Sequence, residues 1–381
     1  MPKIKLYNNI AQIGLDQFTE NYEVNENMDD EDAILVRSAN LHDIEYGANL
    51  KAIARAGAGV NNIDIDTCTK KGIAVFNTPG ANSNAVKELV FAGMLLASRD
   101  IYHGIEWIQT QKDNDNIAKD VEIRKKYAGH ELTGKSLGVI GCGAIGIQVA
   151  NLALRFGMKV YGYDPYMSVD AAWNLSRYVN HVTNIDDLYK QCDFITIHVP
   201  LNDGTKNFIN KDSFDKMKDG VKLLNFARGG LVDEDALLEA LDENKVAAYV
   251  TDFPSQKVIQ NDKVIAIPHL GASTEESEEN CAVKAAQELM DYLEFGNISN
   301  SVNLPNAKMD MNSPFRITCI HDNKPKMISQ ITDILKYANI ENLMNKSKKD
   351  IAYTIIDLDS EVNISSIEKI NGMIRVSTYS K

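Results

Sequence analysis

Two side chains have types and settings that suit anion binding and proton exchange. Arg228 lies in Asn225-Phe-Ala-Arg-Gly-Gly-Leu-Val-Asp233, and His269 lies in Pro268-His-Leu-Gly-Ala-Ser-Thr274. A planar guanidinium binds a carboxylate through paired hydrogen bonds and polarises a neighbouring carbonyl. An imidazole gains and loses a proton near neutral pH. The pair therefore predicts hydride transfer at a 2-hydroxy or 2-keto acid, with Arg228 holding the acid and His269 as acid–base.

Hydride transfer requires an acceptor, and the stretch from Leu137 to Asp164 predicts a site for one. Gly141, Gly143 and Gly146 have the G-x-G-x-x-G spacing, between an apolar strand and an apolar-periodic helix. This pattern is typical of a dinucleotide-binding turn, in which the helix N-terminus faces the pyrophosphate. Asp164 ends the next strand, where an acid accepts from ribose hydroxyls and repels a 2′-phosphate. The sequence therefore predicts NAD rather than NADP, with a ligand-free glycine turn as the alternative.

Four predicted strands of this region carry polar residues at their carboxyl ends. They cover residues 194–200, 222–228, 246–251 and 264–269, and their polar residues are His198, Arg228, Asp252 and His269. In open parallel sheets, ligands collect at this edge. Because His198 precedes a proline, we expect it to shape the cofactor pocket rather than exchange a proton. Arg37 and Arg55 end N-terminal strands in the same way, with surface ion pairs as their alternative role.

The order of predicted elements indicates an α/β chain of more than one domain. At 381 residues the chain is too long for a single core. Strands alternate with helices through most of it, which favours doubly wound parallel sheets. A linker rich in Asn, Ser and Pro follows at 296–313, and the end of the chain has the order βαββαβ. The charged run 346–350 is expected to be a hairpin turn.

Composition excludes several classes of function. The net charge of −13 argues against nucleic-acid binding, since phosphate backbones require a basic surface. Five scattered cysteines without a C-x-x-C motif indicate buried thiols, a reducing cytoplasm and no structural metal. The longest apolar run, 89–97, is too short to cross a bilayer.

Several motifs together resemble those of the D-isomer-specific 2-hydroxyacid dehydrogenases, over nearly the whole chain. They are Val36-Arg-Ser38, Arg55-Ala-Gly-Ala-Gly-Val60, Asn77-Thr-Pro-Gly80, the glycine turn, Phe226-Ala-Arg-Gly-Gly230 and Pro268-His-Leu-Gly-Ala-Ser-Thr274. The resemblance implies a discontinuous substrate-binding domain (1–98 and 285–305) and an NAD-binding Rossmann domain (99–284). A linker (306–314) and an ACT-like regulatory domain (315–381) follow.

The resemblance also implies roles for individual residues. Expected cofactor contacts are Gly141, Gly143, Ala144, Ile145, Gly146, Asp164, His198, Val199, Pro200, Phe226, Ala227, Asp252 and Gly271. Expected substrate contacts are Arg37, Ser38, Arg55, Ala58, Gly59 and Arg124. Expected contacts to an L-serine effector are His321, Asn323 and Asn339.

Within the family, the resemblance favours members that oxidise D-3-phosphoglycerate to 3-phosphohydroxypyruvate, the first step of phosphorylated serine biosynthesis. One alternative is the same chemistry on another D-2-hydroxy acid, such as glycerate with hydroxypyruvate. Another is a non-catalytic protein that senses NAD. The resemblance further implies a homodimer or homotetramer, for which an exposed helix at 99–110 and the terminal domain both offer contact surfaces.

One position departs from the family pattern. Family members place a Glu shortly after the aspartate that corresponds to Asp252, where it hydrogen-bonds the catalytic His. Here Gln256 and Lys257 lie near that position, and no Glu occurs between Glu243 and Glu275. An amide does not stabilise imidazolium as a carboxylate does. We therefore expect the His269 transition in the pH–rate profile to lie at a lower pH than in other family members. Glu at position 256 or 257 should move that transition to higher pH.

Overall fold

The computed structural model describes residues 1–122 and 124–381, without the side chains of residues 124 and 125. The expected substrate contact Arg124 therefore lies outside the described side chains. The described residues form three sheets, of five, seven and four strands in chain order. The strands are β1 (Lys3–Tyr7), β2 (Glu23–Asn25), β3 (Ala33–Val36), β4 (Ala52–Arg55), β5 (Ala74–Asn77), β6 (Ser136–Ile140), β7 (Lys159–Tyr163), β8 (Asn180–His181), β9 (Phe194–Ile197), β10 (Val221–Asn225), β11 (Val246–Thr251), β12 (Val264–Ala266), β13 (Phe315–Asp322), β14 (Ile340–Lys348), β15 (Ile351–Leu358) and β16 (Met373–Ser380).

Helices connect these strands in the alternation that the sequence predicts. They are α1 (Gln12–Leu15), α2 (Ile65–Lys70), α3 (Ser83–Ser98), α4 (Ile101–Gln109), α5 (Ile117–Asp120), α6 (Ala144–Arg155), α7 (Val169–Asn174), α8 (Ile185–Gln191), α9 (Lys211–Lys216), α10 (Glu234–Asp242), α11 (Glu275–Phe295), α12 (Met327–Ile334) and α13 (Ser365–Glu368). Among the described residues, no helix combines the length and the apolar character needed to span a membrane.

The chain divides into two compact units, residues 1–82 with 275–381, and residues 83–274. The predicted domain boundaries differ from this division. Helix α3 belongs to the second unit because it packs on β10, β11 and α6. Helix α11 belongs to the first unit from its start, with Ala282 packed against Gly14. Residues 306–381 also belong to the first unit.

In the first unit, β1 to β5 form a parallel sheet in the order β2-β1-β3-β4-β5. All four residues of β3 are buried, as expected for a parallel strand covered on both faces. The register places Val36 opposite Arg55. Arg37 and Arg55 therefore lie next to each other at the carboxyl edge of this sheet.

The second unit contains a parallel sheet in the order β12-β11-β10-β9-β6-β7-β8. The strand order reverses between β6 and β9, and such a switch point opens a ligand crevice at the carboxyl edge. This sheet and the first one confirm the predicted doubly wound α/β fold. The five cysteines are buried free thiols, also as predicted.

The C-terminal strands form an antiparallel sheet in the order β14-β15-β13-β16, which confirms the predicted βαββαβ unit. One face packs Ile320, Tyr353 and Ile355 into the same core as Phe76 and Tyr292. The opposite face packs against α12 and α13 through a separate apolar cluster. The central strands β13 and β15 are thus buried on both faces, and the sheet shares the core of the first unit.

A buried ion pair fixes this sheet to the end of α11. The Arg316 guanidinium donates to both carboxylate oxygens of Asp357, at 2.6 and 3.1 Å, and both side chains are fully buried. It also donates to the carbonyl oxygen of Phe295, at 2.8 Å. These bonds satisfy the buried guanidinium, which otherwise would be costly to desolvate.

Candidate active site

The three glycines of the turn after β6 have different structural roles. A Cβ on Gly141, which has φ +90°, would lie 2.7 Å from the carbonyl oxygen of His198. A Cβ on Gly146 would lie 2.0 Å from the carbonyl oxygen of Gly141. Among the described residues, a Cβ on Gly143 meets nothing within 4 Å, and no side chain caps the N-terminus of α6. Two glycines therefore permit close packing, and the third leaves backbone open to a phosphate group.

Asp164 follows β7 and is bonded to the glycine turn. Its Oδ2 accepts from the Cys142 N–H at 2.9 Å, and its Oδ1 accepts from the Tyr166 N–H at 2.9 Å. The carboxylate is thereby fixed at the end of the strand that neighbours β6. A negative charge here suits a free ribose diol and opposes a 2′-phosphate.

His198 follows β9, across the switch point from the glycine turn. Its Nε2 lies 3.0 Å from Thr196 Oγ1, and its buried Nδ1 has no partner among the described residues. Burial lowers the pKa of His198 to about 3, so the ring is neutral at physiological pH. An unpartnered buried nitrogen beside an open glycine backbone fits a bound polar cofactor. Val199 and Pro200 continue this wall, with Val199 against Gly141.

The loop after β10 carries Phe226, Ala227 and Arg228. The Asn225 amide donates to the carbonyl oxygen of Arg228 at 2.8 Å and fixes the loop. The exposed Arg228 guanidinium donates to the carbonyl oxygen of Ala227 at 2.7 Å. It forms no ion pair within the described part of the chain, so its remaining donors can serve a substrate carboxylate.

Arg228 and His269 contact the same aromatic ring. The Arg228 Cζ lies 5.9 Å from the centroid of Phe253, and the His269 ring centroid lies 4.4 Å from it. The fold therefore brings the two predicted reactive groups into one cluster at the carboxyl edge. Sequence reasoning missed Phe253, although its position directly after the strand-ending Asp252 was a usable signal.

Asp252 is the buried acid of this cluster. Its Oδ2 accepts from the Gly271 N–H at 3.2 Å, and its Oδ1 has no partner among the described residues. Burial raises the pKa of Asp252, and the positive charges of His269 and Arg228 oppose that rise. Asp252 is thus electrostatically coupled to both groups, and one of its oxygens remains available to a ligand.

Gln256 and Lys257 are not brought to the imidazole. The Gln256 side chain is exposed and makes no hydrogen bond to another described residue. The Lys257 ammonium pairs instead with Asp235 on α10. Both residues are exposed and directly precede a short 3-10 helix at Val258–Gln260. In this structure the carboxylate coupled to His269 is Asp252.

The expected substrate arginines form a cationic cluster in the first unit. Arg55 Nε donates to the carbonyl oxygen of Arg37 at 2.8 Å, and Arg37 pairs with Glu278 on α11. Lys284 adds a third cation, and all three charges oppose the burial that raises the pKa of Cys281. The concentration of positive charge suits an anionic group.

The remaining expected substrate contacts lie beside these arginines. The Ser38 N–H donates to Asn8 Oδ1 at 3.1 Å. The carbonyl oxygen of Ala58, next to Gly59, accepts from the Asn77 amide at 2.5 Å. Sequence reasoning assigned Asn77 no role. Its position as the last residue of β5, at the same sheet edge as the Ala58 loop, was the available signal.

The expected effector residues do not form one site within a chain. His321 is buried, with Nδ1 2.8 Å from the carbonyl oxygen of Asp322 and Nε2 2.8 Å from Thr354 Oγ1. Asn323 follows β13 at one end of the sheet. Asn339 precedes β14, whose first residue pairs with the last residue of β15 at the opposite end. A site containing all three would require a second copy.

Comparisons with known proteins find similar chains and a matching family model. Residues 91–271 match the family model described as D-isomer specific 2-hydroxyacid dehydrogenase, NAD binding domain. The chain is 38% identical over 316 residues to D-3-phosphoglycerate dehydrogenase of Methanocaldococcus jannaschii, covering 81% of this chain and 58% of the relative. It is 40% identical over 274 residues to hydroxypyruvate reductase of Thermotoga maritima, covering 69% of this chain and 85% of the relative.

A solved structure is similar over most of its length. It is the NAD⁺-bound 3-phosphoglycerate dehydrogenase of Entamoeba histolytica, with a TM-score of 0.63 and 30% identity. The match covers 79% of this chain and 98% of that one. Among the sequence relatives, this chain spans little more than half the length of the M. jannaschii protein.

Proposed function

The chain belongs to the D-isomer specific 2-hydroxyacid dehydrogenase family, and from this premise we propose that it oxidises D-3-phosphoglycerate to 3-phosphohydroxypyruvate with NAD. The observation that supports this most is the cluster of Arg228, Asp252 and His269 around Phe253. The cluster lies at the carboxyl edge of the sheet that carries the glycine turn. NAD supplies the hydride acceptor when it is bound.

In this proposal the reacting groups have distinct tasks. His269 accepts the proton of the C2 hydroxyl as the C2 hydride leaves, so the alcohol becomes a ketone. Arg228 binds the substrate carboxylate and stabilises negative charge on the C2 oxygen. Asp252 is a positioning residue, since its carboxylate favours imidazolium at His269, and its unpartnered Oδ1 would accept a hydrogen bond from the bound cofactor. Reduction follows the same path in reverse, with His269 as the acid.

The cations of the first unit support a substrate with a second anionic group. We assign Arg37 and Arg55 to the substrate phosphate, because lactate or pyruvate offers no second anion to bind. The names of the relatives support two substrates, phosphoglycerate and hydroxypyruvate. The second candidate is therefore reduction of hydroxypyruvate to D-glycerate, which uses the same cluster and leaves the phosphate position empty.

The test compares NADH consumption with 3-phosphohydroxypyruvate, hydroxypyruvate and pyruvate in parallel. We expect kcat/KM for the phosphorylated acid to exceed that for hydroxypyruvate by about a hundredfold, the equivalent of one charge-assisted contact of roughly 3 kcal/mol. Arg55→Gln should reduce this preference and leave the hydroxypyruvate rate unchanged. Equal rates with both acids would favour the second candidate. NADH binding without turnover of any acid would indicate an NAD sensor.

The absence of a Glu after Asp252 leads to a pH test. We propose that Gln256→Glu raises the lower pH transition of kcat/KM, because a negative charge added to the loop after Asp252 favours imidazolium at His269 even without contact to the ring. Gln256→Asn is the matched control and should leave the profile in place. An unchanged profile in the Glu variant would show that Asp252 alone serves His269.

We further propose that α4 mediates self-association. The helix has no buried residue, and the exposed fractions of Ile105 and Ile108 are 52% and 36%. Such an apolar face is typical of a surface covered in an assembly. Ile105→Glu should convert a dimer or tetramer to a smaller species in light scattering. Glu106→Gln, on the same helix, is the control.

L-Serine is proposed as an effector at a site shared by two copies. The separation of Asn323 and Asn339 at opposite ends of the sheet supports a shared rather than a single-chain site. Serine should then inhibit the associated form, and Asn339→Ala should abolish inhibition without changing activity. Inhibition that persists in this variant would place the effector elsewhere.

A further inference from the structure

A polar groove of about 660 Å³ lies in the first unit, between the chain that follows α11 and the end of β14. Its volume is within the range of small-molecule sites. The lining contains two lysines, three asparagines and two serines, and no carboxylate. The chain as a whole has a net charge of −13. A basic groove without acids is therefore a local exception on an acidic protein.

The lysines of the groove come from the run that the sequence predicts as a hairpin turn. Only Lys349 and Asp350 form the turn, whereas Lys346 and Lys348 lie on the edge strand β14. Alternate residues of a strand project from the same face. The two ammonium groups are thus presented together by regular structure.

The Lys348 ammonium is held at the wall of the groove. Its Nζ donates to the carbonyl oxygens of Ser301 and Val302, at 3.1 and 2.9 Å, which leaves one N–H. Burial, with the charge of Lys349, lowers the pKa of Lys348. The Lys346 ammonium makes no ion pair or hydrogen bond within the described residues, so its donors are available to a ligand.

We propose that this groove binds a small molecule through a phosphate group, held by Lys346, Lys348 and the amide of Asn306. Lysine binds phosphate as a point charge, and amide and hydroxyl donors complete the shell of a multi-oxygen anion. A free phosphate ion and a phosphate monoester share this chemistry. Neither of the arginines that the proposed function assigns to the substrate lines the groove.

The groove is connected by hydrogen bonds to the loop at Ala58. Asn77 lines the groove, and its amide donates to the carbonyl oxygen of Ala58. Ser301 lines it as well, and its hydroxyl donates to the carbonyl oxygen of Val75 in β5, at 3.0 Å. A ligand that contacts Asn77 therefore biases the position of the Ala58 loop. This regulatory part rests on the proposed function, in which that loop binds substrate.

The binding test uses calorimetric titration of the full chain with inorganic phosphate and with glycerol 2-phosphate, at ionic strength matched with chloride. Lys346→Glu should weaken binding at least about tenfold, because one charge is reversed beside the anion. Lys349→Asn is the matched control. It removes a charge from the same hairpin at a position with φ +54°, which Asn tolerates, and should change the Kd less than about twofold.

Phosphate bound at the substrate arginines would be equally present in all variants. A Lys346→Glu titration that matches the native one overturns the proposal, as does the absence of binding to the native chain. Lys346→Ala, with circular dichroism to verify folding, should give an intermediate affinity. Tighter binding of the ester than of phosphate identifies a monoester ligand, and the reverse identifies the free ion.

The coupling test measures initial rates with 3-phosphohydroxypyruvate, with and without glycerol 2-phosphate. We expect a change of about fivefold in KM with little change in kcat, and no change in Lys346→Glu. Competition at the active site would persist in that variant, which separates the two effects. Binding without any change in KM would overturn the regulatory part. If the chain has no dehydrogenase activity, the calorimetric arm still tests the site.

Discussion

Glu288, on α11, provides a test of buried charge in the first unit. Its side chain is buried, with Oε1 accepting from the Asn300 amide at 2.6 Å and Oε2 without a partner among the described residues. Burial raises its pKa to about 7 from an ordinary 4.5, against the lowering effects of Asn300 and of the Lys284 charge. The folded protein therefore retains a proton that the unfolded chain releases.

The sign of the resulting pH dependence follows from proton linkage. The pKa of Glu288 is higher in the folded protein than in the unfolded chain. Its contribution to the free energy of unfolding is therefore fully present below pH 4.5 and is lost as the pH rises toward 7. The full loss is about 3 kcal/mol, of which roughly 2 to 3 kcal/mol occurs between pH 5 and pH 8. Glu288→Gln should remove this dependence, since the amide keeps an oxygen for Asn300 and carries no charge.

The assay has to report on α11 itself. Trp107 and Trp173 both lie in the second unit, so their fluorescence does not report on this helix. Amide hydrogen exchange of peptides from 275–295 does, and opening free energies are compared at pH 5 and pH 8. Glu279→Gln is the matched control, because Glu279 lies on the same helix and its side chain makes no hydrogen bond or ion pair within the described residues. The reasoning is refuted if the opening free energies of the native and Glu288→Gln proteins differ by the same amount at pH 5 and at pH 8. That result would mean that the Glu288 carboxyl is solvated.

Three further changes test the cofactor turn, the buried ion pair and the proposed base. Asp164→Ser removes the charge that opposes a 2′-phosphate, so the ratio of kcat/KM for NADP⁺ to that for NAD⁺ should rise at least about tenfold, and an unchanged ratio would contradict the assignment. Asp357→Ala leaves the buried Arg316 guanidinium unpaired and should cost about 3–5 kcal/mol in urea unfolding, whereas a cost below about 1 kcal/mol would mean that water reaches it. His269→Gln should lower kcat about 10²- to 10⁴-fold with an unchanged Kd for NADH, and retained turnover would show that another group exchanges the proton.

The sequence alone determined the features that depend on neighbouring residues. A strand, three glycines and a helix occupy fewer than thirty consecutive positions, so the spacing itself specifies the turn between β6 and α6. Strand ends are equally local, which is why His198, Arg228, Asp252 and His269 were placed correctly at one edge of a parallel sheet. The βαββαβ order of the last residues followed from periodicity in the same way.

Only the tertiary structure decided which distant residues meet and which are buried. The sequence predicted a separate C-terminal domain, whereas Tyr353 and Ile355 share a core with Phe76, because an apolar strand face does not specify its partner. Lys257 pairs with Asp235, which lies 22 residues earlier in the chain. Glu288 is buried by contacts with residues that no local sequence pattern identifies. Burial and pairing depend on three-dimensional proximity, and that proximity sets the pKa of each group and the chemistry available to it.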